Sequence, residues 1–224
     1  MRRVPDLASL FEDAKLIRYR KGEYILRAED EPQGVYIVES GLVKSLTVND
    51  IGERYIHMIY GSKEVFPLGW TLDAAIRHVH FQAIENTVVR RLSRERFNQL
   101  IIEGGANTKK FLAYMAYYLV AYGDRVQNLG YQYAGERLAY RLLFLGGRFG
   151  DKRKSTITLA LPLTRDELAD SVNLSRKSVQ RELDKLIRKR TIEIQGRKIV
   201  ILNYHKLYSE LHDEVDFERW GLKR

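Results

Sequence analysis

Long hydrogen-bond donors are concentrated in the stretch 176–188, whose apolar residues recur at helical spacing. A helix over this stretch carries Val179, Leu183 and Leu186 on one side and leaves the donors on the other. Arginine, lysine and glutamine are the side chains that bind base edges and neutralise phosphates in the major groove of a duplex. The pattern therefore indicates recognition of a nucleic acid. The outward donors are Arg176, Lys177, Gln180, Arg181, Lys185 and Arg188.

Two capping signals define the elements that would position these donors. Thr164 and Glu167 form a capping box, in which the hydroxyl and the carboxylate each accept from a free amide at a helix start. Asn173 then interrupts the pattern, since asparagine tolerates the left-handed conformation that a tight turn needs. Ser175 caps the donor helix, and Ala169 supplies the small residue where two helices cross closely. This spacing predicts a helix-turn-helix.

Two strand-like segments follow the donor helix. Residues 192–194 and 198–202 alternate in polarity across Gln195 and Gly196, which predicts a hairpin wing. An ordinary helical hairpin with a solvated basic face is the alternative, but cap, turn residue, apolar stripe and basic face together favour binding of DNA. We assign base reading to Arg176, Lys177, Gln180 and Arg181. The other DNA-binding positions, mostly phosphate contacts, are Arg165, Ser175, Ser178, Lys185, Arg188, Arg197 and Lys198.

The formal net charge of +9 is concentrated in the half of the chain that contains this motif. Basic and acidic residues balance over 1–104, whereas residues 105–150 carry +4 and residues 151–203 carry +6. The tail from residue 204 carries −1. A positively charged region is the expected complement of a polyanionic partner.

A second periodic element precedes the motif. Its apolar and aromatic residues recur at alternating spacings of three and four, which is the pattern of a two-helix coiled coil. The same face could instead pack on another part of the chain. The tyrosines of this region could ring an effector pocket, or they could fill a dimer interface. The predicted dimer seam consists of Leu112, Met115, Leu119, Tyr122, Val126, Leu129 and Tyr133.

The first half of the chain has a different pattern, in which short alternating segments are punctuated by glycine. Segments of this kind at 16–26, 34–48 and 53–61 predict an antiparallel β-roll or jelly roll. Together with the later elements they predict an α+β fold, with an N-terminal β-roll, a long dimerisation helix and a C-terminal winged helix-turn-helix. The predicted divisions are 1–104 for the β-roll, 105–134 for the dimerisation helix and hinge, and 135–224 for the winged helix-turn-helix. Short helices are also predicted within 1–15 and 204–224.

Three short stretches carry a family resemblance. Leu174–Arg181 reads Leu-Ser-Arg-x-x-Val-x-Arg, and Lys21–Glu23 and Val35–Gly41 open the predicted β-roll. These stretches resemble the recognition helix and the cyclic-nucleotide-binding fold of the cyclic-AMP receptor / fumarate-nitrate regulator (CRP/FNR) family of bacterial transcription factors. The resemblance implies a homodimer that binds a pseudo-palindromic operator in double-stranded DNA and acts with RNA polymerase.

The region 61–82 falls where that family's fold places its phosphate-binding cassette. Nucleotide-binding members use a Gly-Glu pair for the ribose hydroxyl and an arginine for the phosphate. Pro67 and Leu68 stand at the Gly-Glu position here, and Arg77 is the only residue carried over, as a phosphate ligand. We therefore expect a regulator that does not depend on cyclic AMP and has no resident cofactor. An activator that responds to a cyclic nucleotide or another small anion is the alternative.

The residue types of the chain give little support for a metal-binding or redox function. The chain has no cysteine, which excludes disulfides, thiolate catalysis and a cysteine-ligated iron–sulfur cluster. His78 and His80 are two residues apart and would face one side of a strand, with His57 as a third potential metal ligand. Structural or solvent-facing histidines explain them better, because no carboxylate completes a metal-ligand spacing. No metal site is predicted.

Two other functional classes remain as alternatives. An enzyme on the β-roll would need paired acids, a catalytic triad or a metal set, and the sequence shows none of these. A signalling adaptor would keep the β-roll and the coiled coil but would have no need for the basic helix. No apolar run approaches the roughly 20 residues of a membrane span, and no apolar signal segment follows Met1. We expect a cytoplasmic protein without a membrane partner.

Overall fold

The computed structural model describes residues 4–71, 78–103, 105–212, 215–216, 218 and 221–222. These residues form two compact units, one extending to Tyr122 and the other beginning at Gly123. Helices and antiparallel sheets occupy separate stretches of the chain, which confirms the predicted α+β class. The boundary between the units falls inside the segment 105–134, to which the sequence pattern assigns dimerisation.

The strands of the first unit form two four-stranded antiparallel sheets. They are β1 (Lys15–Tyr19), β2 (Tyr24–Leu26), β3 (Val35–Ser40), β4 (Val43–Val48), β5 (Arg54–Tyr60), β6 (Val65–Phe66), β7 (His80–Ala83) and β8 (Thr87–Leu92). The strand orders are β1-β8-β3-β6 and β2-β7-β4-β5. Most neighbours in a sheet are not consecutive in the chain, as in a jelly roll, and the predicted β-roll is confirmed.

Gly41 shows why glycine punctuates these strands. It lies in the turn between β3 and β4 with φ +86°, in the left-handed region that favours glycine. A Cβ atom there would lie 2.6 Å from Thr87 Oγ1. The hydroxyl needs that space, because it accepts the Leu42 N–H at 3.2 Å and thereby ties the turn to β8.

Short helical segments cover one side of the β-roll. They are a 3-10 turn (Ala8–Phe11), α1 (Leu68–Thr71) and α2 (Arg94–Ile102). The core beneath them includes Phe11, Val35, Val65 and Phe97, all buried. The helix expected within 1–15 is therefore a single 3-10 turn in the described residues, because Lys15 already pairs with Arg91 in the sheet.

The long helix α3 (Ala106–Gly130) has two apolar faces. Phe111, Tyr114 and Ala121 lie on a buried face. Leu112, Leu119 and Val126 lie on a second face, where their side chains are 61%, 67% and 69% exposed. Exposed apolar stripes of this regularity are typical of interaction surfaces. The helix thus has a packing face and an exposed face, and the predicted seam is divided between them, because Met115 is partly buried against the core of the first unit.

The helical part of the predicted seam ends before Tyr133. The helix α3 stops at Gly130, and Tyr133 is the N-terminal cap residue of the next helix, with its side chain exposed. The expectation that the heptads run on to Tyr133 is therefore wrong. The reason is that Arg137 Nε donates to the Tyr131 carbonyl oxygen at 2.7 Å, which fixes the chain in a turn just after the helix. Of the predicted seam residues, those from Leu112 to Leu129 lie on α3.

The second unit packs helices on one four-stranded sheet. Its elements are α4 (Ala134–Phe149), β9 (Asp151–Arg153), β10 (Thr156–Leu159), α5 (Arg165–Val172), α6 (Arg176–Arg188), β11 (Ile192–Gln195), β12 (Lys198–Ile201) and α7 (Tyr204–Tyr208). The sheet order is β11-β12-β10-β9. The hairpin of β11 and β12 closes with Gln195 opposite Lys198, as predicted for the wing.

The tail is less helical than its spacing predicts. Leu207, Leu211 and Val215 are all buried, as their spacing suggests, but α7 ends at Tyr208. The helix stops there because the Glu210 and Leu211 amides donate to the carbonyl oxygens three residues earlier, those of Leu207 and Tyr208, and not to those four residues earlier. In the described residues, no helix is long and apolar enough to cross a membrane.

Candidate nucleic-acid interface

The start of α5 is determined by two residues of the local sequence. Thr164 Oγ1 accepts the Glu167 N–H at 3.1 Å, and Glu167 Oε2 accepts the Thr164 N–H at 2.8 Å. Both bonds of the predicted capping box are therefore present. The inward face of α5 is buried at Leu168 and Ala169, which anchors the helix on the unit's core.

The turn between α5 and α6 has the backbone that Asn173 was expected to provide. Asn173 has φ 52° and ψ 51°, and the Leu174 N–H donates to the Ala169 carbonyl oxygen at 3.2 Å. Ser175 Oγ accepts the Ser178 N–H at 3.1 Å and caps α6. The helix-turn-helix is confirmed, and α6 begins at Arg176.

The outward face of α6 forms a shallow groove of about 660 Å³. Opposite this groove, Val179, Leu183 and Leu186 are buried, so the helix cannot rotate without exposing its apolar side. All four residues assigned to base reading line the groove, and Arg188, assigned to the phosphate backbone, lies beside them. The lining residues are Arg176, Lys177, Gln180, Arg181, Asp184 and Arg188.

The remaining DNA-binding candidates lie on the flanks. Arg165 is the first residue of α5, and Lys185 is on α6 outside the groove lining. Arg197 and Lys198 are exposed at the tip of the wing, next to Gly196, which has φ +60°. Because these residues lie on separate elements, they are suited to contact phosphates on either side of a DNA groove. Such contacts orient a protein on the duplex but do not distinguish one base sequence from another.

Carboxylates are mixed with the basic side chains, and the donor pattern did not include them. Gln180 Nε2 donates to Asp184 Oδ1 at 2.8 Å, within the groove. Arg176 Nη1 lies 3.6 Å from Asp166 Oδ2 on α5. These acids therefore pair with two of the donors, Gln180 and Arg176. They also give the groove an acceptor, Asp184, which could bind a cytosine amino group.

Glu182 is the acid that sequence reasoning missed most clearly. Its carboxylate is buried, yet its Oε1 accepts from Arg181 Nε at 3.1 Å and from Lys185 Nζ at 3.0 Å. Burial acts to raise the pKa of Glu182, but the hydrogen bonds from Lys185 and Arg181 outweigh it and leave the pKa lowered. With Nε held in this way, Arg181 would meet a base through its terminal amino groups. Its burial could have been predicted from the spacing, because Glu182 follows Val179 by three residues and precedes Leu186 by four, and so lies on the buried side of α6.

The interior of the β-roll, the second candidate site, is filled by aromatic rings. Phe66 stacks on Tyr36 at 5.4 Å and on Phe81 at 5.0 Å between ring centroids, and Tyr60 packs against the same ring. All four residues are buried. Burial raises the pKa of Tyr60 well above its ordinary value, so this phenol stays neutral and hydrogen-bonds to the Tyr118 hydroxyl. These strands therefore enclose a packed aromatic core.

The cassette region offers no carboxylate at the expected ribose position. Leu68 is buried in the apolar core of the unit, as its side chain requires. The nearest acid in the sequence, Glu64, is also buried, and its Oε2 accepts the Gly61 N–H at 2.7 Å. Its other oxygen accepts from the Tyr117 hydroxyl at 3.3 Å. Arg77, the carried-over phosphate ligand, lies outside the described residues.

The histidines do not converge. His78 is in a turn with φ 66° and its Nδ1 lies 2.8 Å from Glu29 Oε1, whereas β7 begins only at His80. The expectation that His78 and His80 share one side of a strand is therefore wrong. His80 Nδ1 accepts the Ala28 N–H at 3.0 Å, and burial lowers the pKa of this ring, which favours the neutral acceptor. No cluster of three potential metal ligands occurs in the described part of the chain.

Comparison with known proteins gives the same picture for both units. A family model described as a Crp-like helix-turn-helix domain matches residues 136–210, and one described as a cyclic nucleotide-binding domain matches residues 16–103. The transcriptional activator protein Anr of Pseudomonas protegens is 27% identical over 201 residues, covering 89% of this chain and 82% of that protein. The fumarate and nitrate reduction regulatory protein of Vibrio cholerae is 24% identical over 205 residues, covering 91% and 80%. The solved structure of FixK2 from Bradyrhizobium japonicum matches with a TM-score of 0.76 and 28% identity, covering 90% of this chain and 99% of that one.

Proposed function

This chain belongs to the CRP/FNR family of DNA-binding transcriptional regulators, and we propose that it acts as a homodimer on a pseudo-palindromic operator. The observation that carries the proposal is the groove of α6, where Arg176, Lys177 and Arg181 converge with Gln180. These side chains offer the donors that guanine and adenine edges accept in the major groove. Because the partner is genomic DNA, the protein would act in the cytoplasm.

Dimerisation is supported by the exposed stripe on α3. Leu112, Leu119 and Val126 recur at the spacing of a coiled-coil seam and are more than half exposed in the single chain. Pairing two copies of α3 through this stripe would bury these side chains. A two-fold axis along such a pair relates the two copies of α6, so the operator should contain two inverted half-sites.

RNA polymerase is the partner that we propose for the DNA-bound dimer. The support is the similarity to Anr, whose name describes a transcriptional activator. An activator bound beside a promoter must contact the transcription machinery in order to raise initiation.

Operator selection from random duplexes tests the proposal. We expect the purified protein to recover inverted half-sites about 10 base pairs apart, because the recognition helices of a two-fold dimer enter successive major grooves about 34 Å apart. Sedimentation of the free protein should show a dimer. Mobility shifts with unlabelled competitor should separate the selected site from random DNA. Recovery of a single isolated half-site by a monomer would contradict the proposal.

We further propose that operator binding does not depend on cyclic AMP. The support is the buried Leu68 at the expected ribose position and the packed aromatic core between the sheets. A missing charge-assisted hydrogen bond costs about 1.5–3 kcal/mol, which is roughly ten- to a hundredfold in affinity. Control by abundance, or by a different small anion, would then replace the nucleotide.

Calorimetry of the purified dimer with cyclic AMP and with cyclic GMP tests this second proposal. We expect no heat of specific binding from either nucleotide and the same operator affinity with and without each. The two nucleotides serve as controls for one another, because a site that recognised only the ribose phosphate would bind both. Micromolar binding that also tightens operator affinity would show that another acid supplies the ribose acceptor.

A further inference from the structure

Arg125, near the end of α3, reaches the turn of the helix-turn-helix and is hydrogen-bonded to a second polar residue of α3, Asn128. Arg125 Nη2 donates to the side-chain oxygen of Asn173 at 3.2 Å, and Arg125 Nη1 donates to Asn128 Oδ1, also at 3.2 Å. Arg125 and Asn128 are 5% and 1% exposed. A buried guanidinium thus connects the last turns of the long helix to the residue whose left-handed backbone separates α5 from α6.

Arg137, near the start of α4, closes this connection into a network. Asn128 Nδ2 donates to the Arg137 carbonyl oxygen at 2.8 Å. The Arg137 guanidinium donates to the Tyr131 carbonyl oxygen at 2.7 Å and to the Asn173 carbonyl oxygen at 3.4 Å. The end of α3, the connection after it, the start of α4 and the helix-turn-helix turn are therefore held together within one unit. We call Arg125, Asn128, Arg137 and Asn173 the turn network.

The turn network buries a charged group, the Arg125 guanidinium, and removing a charge from water costs free energy. Burial, and then the charge of Arg137, lower the pKa of Arg125 to about 10, so its guanidinium remains charged at neutral pH. Its acceptors are neutral amide oxygens, and its Nε has no acceptor among the described residues. Apolar side chains of similar volume often replace buried ionic groups with no loss of stability.

The turn network lies beside residues that the proposed dimer would use for pairing and for binding DNA. Val126 and Leu129 of the seam alternate along α3 with Arg125 and Asn128 of the network. Asn173 lies two residues before the cap of α6. We propose that the turn network fixes the placement of α6 relative to Val126 and Leu129, the seam residues of the same unit, and so sets the half-site spacing that the dimer accepts. Arg125 is a positioning residue in this inference, which rests on the proposed homodimer.

Operators whose half-sites are moved closer together or further apart test the positioning role. A variant that was merely less stable would bind all of these operators more weakly, without changing its preference among them. Inserting or deleting one base pair between half-sites moves one of them by about 3.4 Å and rotates it by about 34°. Binding is measured for the preferred spacing, for both neighbouring spacings and for an isolated half-site. The wild-type dimer should discriminate clearly among the spacings.

Two variants remove the same hydrogen bond from opposite ends. Arg125→Met removes the guanidinium and retains an unbranched apolar side chain, and Asn173→Gly removes the acceptor while glycine retains the left-handed turn. Each should lower the discrimination between spacings about tenfold, the value of one hydrogen bond to a charged group. Affinity for the isolated half-site and the dimer mass should be unchanged. Arg153→Met makes the same substitution at an exposed arginine outside the network and should behave as wild type.

The outcomes separate this inference from the proposed function. A wild-type protein that accepts all spacings equally would refute the two-fold operator geometry itself. A selective wild type whose two variants remain equally selective would overturn the positioning role alone. Loss of half-site binding in both variants would also overturn it, because the network would then serve the fold of the helix-turn-helix rather than its placement.

Discussion

Replacing Leu119 with glutamate should convert the dimer into monomers and weaken operator binding with it. Leu119 is at the middle of the α3 stripe and is 67% exposed in the single chain. A buried leucine contributes about 1.5–3 kcal/mol, and a symmetric interface contains it twice. The variant also places two carboxylates in an apolar seam. The dimer dissociation constant should therefore rise at least about a thousandfold, as measured by sedimentation equilibrium.

An exposed residue off the seam provides the matched control for this change. Ala113 lies on the same helix and is exposed, so Ala113→Glu adds the same charge without entering the predicted interface. It should leave both the dimer and its operator affinity unchanged. The seam would be refuted if Leu119→Glu stayed dimeric at the concentrations where the wild type is dimeric. Normal operator affinity in a monomeric variant would refute the link between dimerisation and binding.

Replacing Arg181 or Arg188 with alanine should separate base reading from phosphate binding. Arg181→Ala should cost about 1–3 kcal/mol on the selected operator and relax the preference at one position of each half-site. Arg188→Ala should weaken binding to all sequences about equally and reduce the slope of log affinity against log salt by roughly 1 per protomer. Fluorescence anisotropy on operators with single base substitutions, repeated at several salt concentrations, measures both effects.

Arg181 and Arg188 lie close together, so different effects of the two substitutions would be a strict test of their assigned roles. Both line the same groove, and Arg181 is additionally held by the buried Glu182. If Arg188→Ala also relaxed one operator position, Arg188 would be a base reader and its assignment to the phosphate backbone would be wrong. If Arg181→Ala weakened all sequences equally, Arg181 would bind only the backbone. Arg153→Ala, at an exposed arginine outside the groove, should change neither quantity.

The sequence by itself determined the elements that local chemistry specifies. The Thr164 and Glu167 cap, the left-handed Asn173 and the Ser175 cap are within a few residues of the atoms they bind, so their types and spacing were sufficient. Helical periodicity likewise identified the buried side of α6 and the exposed stripe of α3. Glycine-punctuated alternation predicted the β-roll, because each strand pairs with its neighbours in one antiparallel pattern.

Only the tertiary structure decided the features that depend on partners distant in the chain. Leu68 packs in the core formed by several elements, and no local pattern states where a side chain at that position points. Arg125 appeared to be an ordinary polar residue beside the seam, yet its partner Asn173 is 48 residues away. Hydrophobic and hydrogen-bonding patterns repeat within a helix or strand and can be seen in the sequence. Which distant residue a side chain contacts depends on how the elements pack against one another. The packing of α3 beside the helix-turn-helix turn is what makes Arg125 part of the turn network.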